Sequence, residues 1–199
     1  MSSSWSASDR FGLALAPGGV ALVQDFLNTI AIADYPDLLA EPVLAQTWVT
    51  NAVQEWSAIR GDDVRPPALH AADVAKLLVL RATIAELISG DTEASRVIDS
   101  ASACFGLSET GEVRLEPVGR GWRWLASALW GEILLSQQTG SWPRLKQCHN
   151  PDCRSTFYDR SKNKSGVWHS VKVCGNAANL RASRARRRER GAVGSASRE

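Results

Sequence analysis

Two short residue pairs near the C-terminus constrain this 199-residue chain more than any other feature. Cys148 and Cys153 are separated by four residues, His169 and Cys174 again by four, and fifteen residues lie between the pairs. Short ligand pairs joined by a loop are how small modules wrap a tetrahedral zinc ion, because each pair fits on one tight turn. Thiolate and imidazole are the ligand types that zinc selects. Asn150-Pro151-Asp152 supplies turn chemistry between the first two sulfurs, and Gly175 admits a close backbone approach after the last ligand.

His149 competes with His169 for the nitrogen position, but it adjoins Cys148, and neighbouring residues seldom both reach one tetrahedral ion. The spacing therefore predicts one Zn2+ per chain, held by Cys148, Cys153, His169 and Cys174; the alternative is a buried thiol cluster without metal. Four ligands close the shell, which predicts a structural rather than a catalytic ion. Asp159 is the one acidic residue between Cys153 and Cys174, and its expected role is to orient the loop by hydrogen bonding. Cys104 lies far away and is expected to be a small core residue.

An arginine run follows at once. The stretch "NAANLRASRARRRER" reads as a helix, with Asn176 as N-cap, four alanines inside and Gly191 at its stop. Arg181, Arg184 and Arg188 share one face, and Arg186, Arg187 and Arg190 extend the charge around it. Such a helix repels itself in isolation and suits a polyanion. Arginine both clamps phosphates and reads guanine in the major groove. Arg160, Lys162, Lys164 and Lys172 are candidates for further phosphate contacts.

The formal charge of +2 conceals a split. Positions 144–199 hold 14 basic and 4 acidic residues, a net of +10, and positions 1–143 hold 9 and 17, a net of −8. The expected organisation is an acidic body carrying a basic module that seeks a polyanion.

The body reads as mainly α. "VALVQDFLNTIAI" is amphipathic through Val23, Phe26, Leu27 and Ile30. After Pro42, the residues Val49, Val53, Trp56 and Ile59 form a stripe with Leu44 and Trp48 beside it. From Asp73 a segment follows with Leu77, Leu80, Ile84 and Leu87 on one face, ending near Gly90. "DTEASRVIDSASACF" is expected as a short helix and the turn at Thr110-Gly111 as the tip of a small β-hairpin. Trp122, Leu125, Leu129 and Ile133 mark a last helix. The aromatic stripes are expected to be core. Asp25, Asn28 and Thr29 interrupt an apolar helix, and either line a ligand pocket or hydrogen-bond nearby backbone.

The fold class expected is thus a helical N-terminal domain with a small β-hairpin, followed by a small zinc-binding module ending in a basic helix. The expected boundaries are 1–12 as a flexible start, 13–142 as the helical domain, 143–190 as the zinc module and 191–199 as a flexible tail. No apolar stretch approaches the roughly 20 residues that span a bilayer, and the N-terminus has no secretory pattern. A cytoplasmic location without membrane contact is expected.

The C-terminal pattern resembles the CGNR zinc-finger family, through Cys148, Cys153, Phe157, Asp159, Ser161, Trp168, Ser170, Cys174, Gly175 and Asn176. The "VQDFLNT" segment resembles the Asp-Phe-x-Asn-Thr signature of the ABATE domain that precedes this finger, and "LVLRATIAELI" resembles its Leu-Arg helix. His169 stands where the family has cysteine, Ala177 where it has the arginine of its namesake motif, and Val171 where it has methionine. The resemblance implies a bacterial transcriptional regulator that binds double-stranded DNA, with a body that senses a small-molecule effector or dimerises. A module whose basic helix docks on an acidic protein is the alternative. No nucleophile–base spacing or Gly-rich phosphate loop points to an enzyme.

Overall fold

A computed structural model of the chain describes residues 5–32, 35–90, 101–181, 183, 184 and 186. It is built from helices α1 (Ser6–Asp9), α2 (Val20–Leu27), α3 (Pro42–Arg60), α4 (Ala71–Ser89) and α5 (Trp122–Gln138), with the hairpin β1 (Ala103–Leu107) and β2 (Val113–Pro117) between α4 and α5. A 3-10 turn (Trp142–Arg144) leads into a second hairpin, β3 (Leu145–Gln147) and β4 (Thr156–Tyr158). A π-helical turn (Val171–Gly175) then runs on into α-helix over residues 176–181. The chain is mainly α with small antiparallel hairpins, as its periodicity predicts.

Local chemistry sets the helix limits. Pro42 opens α3, where a missing N–H is harmless. Gly61 and Gly90 end α3 and α4 in the left-handed region, at φ 69° and 80°. α4 starts with a reciprocal cap between His70 and Asp73. The core stripes behave as expected, with Trp48, Val49, Val53, Trp56, Leu77, Leu80, Ile84, Leu125, Leu129 and Ile133 all buried. Ile59, in the last turn of α3, departs from its stripe at 46% exposure.

α2 is the hub. All eight of its residues are buried, and it touches α1, α3, α4, α5 and β4. Each large apolar side chain buried there contributes about 1.5–3 kcal/mol. The helix ends at Leu27 rather than continuing to Ile32. There Thr29 Oγ1 donates to Phe26 O at 2.7 Å, and Thr29 O accepts from Leu38 N at 2.8 Å as the chain doubles back.

Other expectations are corrected. Residues 5–12 are packed rather than frayed, since Trp5 is 2% exposed and α1 lies against α2 and α3. Ala103–Leu107 is a strand, so the helix expected over 91–105 does not extend there; residues 91–100 lie outside the described part. Cys104 is exposed on that strand instead of buried. Among the described residues, no helix is long and apolar enough to cross a membrane.

Asp25, Asn28 and Thr29 hydrogen-bond neighbouring protein groups. All three are 0% exposed. Asp25 accepts from Ser8 N at 2.7 Å and from Trp48 Nε1 at 2.8 Å. Burial pushes its carboxyl above the ordinary range, and those donors draw it partly back. Arg81 donates to Thr29 Oγ1 and grips both carboxylate oxygens of Asp37. Asn28 Oδ1 accepts from Thr156 N and its Nδ2 donates to Thr156 O, both at 2.8 Å. This amide continues the β4 edge with side-chain groups and docks the second hairpin on α2. Asn28→Ala should leave the buried Thr156 N–H unpaired and its carbonyl with only the longer bond from Gln24 Nε2, lowering the stability of the zinc-loaded chain by about 1–3 kcal/mol; urea denaturation of the two proteins measures the difference.

Candidate metal centre

The second hairpin presents the first ligand pair. Cys148 directly follows β3, and its N–H donates to Ser155 O at 2.8 Å, extending the ladder by one rung. The turn between the cysteines closes on Asn150 O, which accepts from Cys153 N at 2.9 Å and Arg154 N at 3.1 Å. Arg154 takes φ 56° as the chain reverses into β4. Both sulfurs consequently lie at one end of a short hairpin.

The second pair spans a loop and a helix start. Ser170 caps that helix, its Oγ accepting from Val173 N, and Cys174 N donates to Ser170 O at 2.8 Å. Asn176 is therefore inside the helix and not its N-cap, because Ser170 begins the helical hydrogen bonding six residues earlier. The wide π turn carries Cys174 inward, while Val171 and Val173 stay exposed. A Cβ on Gly175 would lie 3.3 Å from Trp168 Cδ1, so the missing side chain lets Trp168 pack close behind the last ligand.

The four expected ligand atoms meet. The three Sγ atoms and a ring nitrogen of His169 all lie within 4.8 Å of one another. His169 Nδ1 is 3.3 Å from Cys153 Sγ and 3.5 Å from Cys174 Sγ. Zn–S bonds of about 2.3 Å and Zn–N bonds of about 2.0–2.1 Å separate neighbouring tetrahedral ligand atoms by roughly 3.5–3.8 Å. Donor set and spacing both fit, and the cluster is positioned to bind one zinc ion. His149 is outside it: its N–H donates to Val167 O and its ring stands edge-on to Trp168 at 5.9 Å.

A supporting shell surrounds the sulfurs. Asn150 Nδ2 donates to Cys174 Sγ at 3.3 Å, and Ser155 Oγ lies 3.1 Å from Cys153 Sγ. Such donors spread thiolate charge and orient the ligands. Sequence reasoning valued Asn150 for its turn alone; its place between the first two cysteines was the available signal. Asp159 plays its expected part. It accepts from Lys146 Nζ, Ser161 N and Gly166 N at 2.8–2.9 Å, closing the loop that leads to Trp168. Burial alone would raise its carboxyl, but these donors outweigh it and hold the group well below the usual range.

The basic candidates divide. Arg181 is exposed and donates to Asp152 and to Asn150 Oδ1, strapping the helix to the first knuckle. Arg160 donates to Leu15 O of the body. Lys162, Lys164, Lys172, Arg184 and Arg186 are exposed. Arg187, Arg188 and Arg190 lie outside the described residues.

Residues 144–187 match the family model of the CGNR zinc finger. That span runs from the 3-10 turn before β3, through all four ligands, into the arginine run. No curated protein matches the chain.

In the metal-free cluster, burial and the two neighbouring thiols push Cys174 up to about 11, while burial lowers His169. At neutral pH the thiol thus holds its proton and the imidazole is already neutral. Zinc must displace thiol protons, so its affinity should rise with pH, by about tenfold per unit for each proton released. Chelator competition at pH 6.5, 7.5 and 8.5 measures this slope. Elemental analysis should find one zinc per chain in the native protein and in His149→Ala and His169→Cys, and none in Cys174→Ser.

Proposed function

We propose that this chain is a zinc-dependent DNA-binding protein that regulates transcription, with the metal holding an arginine helix on a rigid base. The supporting observation is that Cys174 is both a ligand and part of the first turn of that helix. The ion therefore sets the direction in which the arginines leave the module. The charge split agrees, since the basic segment begins where the second hairpin begins. Arg181 acts as a strut, and Arg184 with the arginines that follow supplies the phosphate contacts, joined by Lys162 and Lys164 from the loop. With Ala177 at the namesake arginine position, contacts from that position are absent.

A second reading has one observation in its favour. Val171, Val173 and Leu180 are 69%, 65% and 57% exposed on the same helix, and apolar side chains of this kind suit a protein surface more than a phosphate backbone. On that reading the helix docks on an acidic protein.

Arg184→Ala/Arg187→Ala/Arg188→Ala decides between them. If the helix lies on DNA, the variant keeps one zinc per chain, loses about 10- to 100-fold in duplex affinity at 0.1 M salt, and flattens the salt dependence by about 0.9 per lost phosphate contact. Unchanged duplex binding removes the arginine helix from the mechanism.

A further inference from the structure

The described arginines of the acidic body fall into two groups. Arg10, Arg60, Arg81 and Arg114 are engaged within the fold on backbone carbonyls or on the carboxylates of Asp37, Asp62, Glu112 and Glu132. Arg65, Arg120 and Arg123 pair with no carboxylate among the described residues. All three line one cleft of about 910 Å³, between α3, the Pro-rich segment before α4, and the start of α5. All three are exposed, and together they gather positive charge at one place in a segment whose net charge is −8, where one anion can bridge them.

The cleft walls are held firmly. Trp124 stands edge-on to the buried Trp56 at 6.0 Å, and the Arg123 guanidinium lies over the Trp122 ring at 5.0 Å. Gln46 ties the opposite wall together: its Nε2 donates to Thr50 Oγ1 and Pro67 O, and its Oε1 accepts from Leu69 N. One carboxylate faces the cleft, that of Asp73, and it already accepts from His70 N in the α4 cap. The N-terminal ends of α4 and α5 both meet here, adding partial positive charge. The volume is that of an ordinary small-molecule site.

We propose that this cleft binds a small organic anion carrying a planar ring, with its charged group on Arg65, Arg120 and Arg123 and its ring against Trp122 and Trp124. The guanidiniums select negative charge, and the indoles select a flat apolar body. The site stands apart from the DNA reading, because no residue of the zinc module lines it.

Isothermal titration of the full zinc-loaded chain with 2-naphthoate, its neutral isostere 2-naphthamide, and inorganic phosphate tests this. Naphthoate should bind once per chain, with each of the other two at least tenfold weaker. Arg120→Gln/Arg123→Gln should weaken naphthoate tenfold or more at an unchanged melting temperature, and Arg65→Gln should weaken it in the same direction. Arg184→Ala, on the basic helix and outside the cleft lining, should bind naphthoate as the unaltered chain does. Equal binding of naphthoate and naphthamide, wild-type affinity in both cleft variants, loss in Arg184→Ala instead, or no heat from any probe at millimolar concentration would each overturn the proposal.

Discussion

The zinc module stands on its four ligands because it has almost no core of its own. Its buried apolar cluster consists of Cys148, Phe157 and Cys174, with Leu13, Cys153 and Trp168 packed at the edge. Two of the three buried members are themselves ligands. A segment this short cannot bury enough surface to order a fifteen-residue loop and two turns. A closed tetrahedral ion replaces the missing core with coordination bonds, and structural zinc of this kind contributes folding free energy directly. The hairpin, the Asp159-centred loop and the entry into the basic helix all converge on that one point.

The module is also fastened to the body by polar as well as apolar contacts. Asn28 grips both backbone groups of Thr156, Gln24 Nε2 reaches the same carbonyl at 3.4 Å, and Arg160 reaches Leu15 O. Leu145 of β3 belongs to the main core, with Trp142 and Tyr158 against it. These contacts hold the hairpin on α2, the most buried helix. A change of packing around α2 therefore acts on the same element that carries the first two ligands. α2 also packs against α3 and α5, two of the elements that form the arginine-lined cleft.

Legibility in the sequence followed the locality of each signal. The helical stripes through Trp48–Trp56, Leu77–Ile84 and Leu125–Ile133 were readable because burial imposes a 3.6-residue period on consecutive residues. The ligand quartet was readable because metal geometry requires paired ligands on tight turns. The buried role of Trp5, the exposed strand around Cys104 and the strut made by Arg181 were not, because each depends on what lies opposite in space. The polar triad Asp25, Asn28 and Thr29 shows the same limit. Sequence marked these residues as anomalous in an apolar helix, yet their partners, Ser8, Trp48, Arg81 and Thr156, are up to 128 positions away.

Ligand chemistry, ligand order and the adjacency of a basic run were settled by the sequence alone, since covalent spacing limits which residues can reach one ion. Tertiary structure decided which arginines find a partner within the chain. Arg181 is two turns from Cys174 and looks like its neighbours in sequence, but Asp152 and Asn150 stand opposite it. Arg65, Arg120 and Arg123 are scattered over 59 positions of chain and become one cationic cleft only when α3, α4 and α5 pack. Charge has no periodicity that marks its partners; only the packed chain brings like or unlike charges within reach of one another.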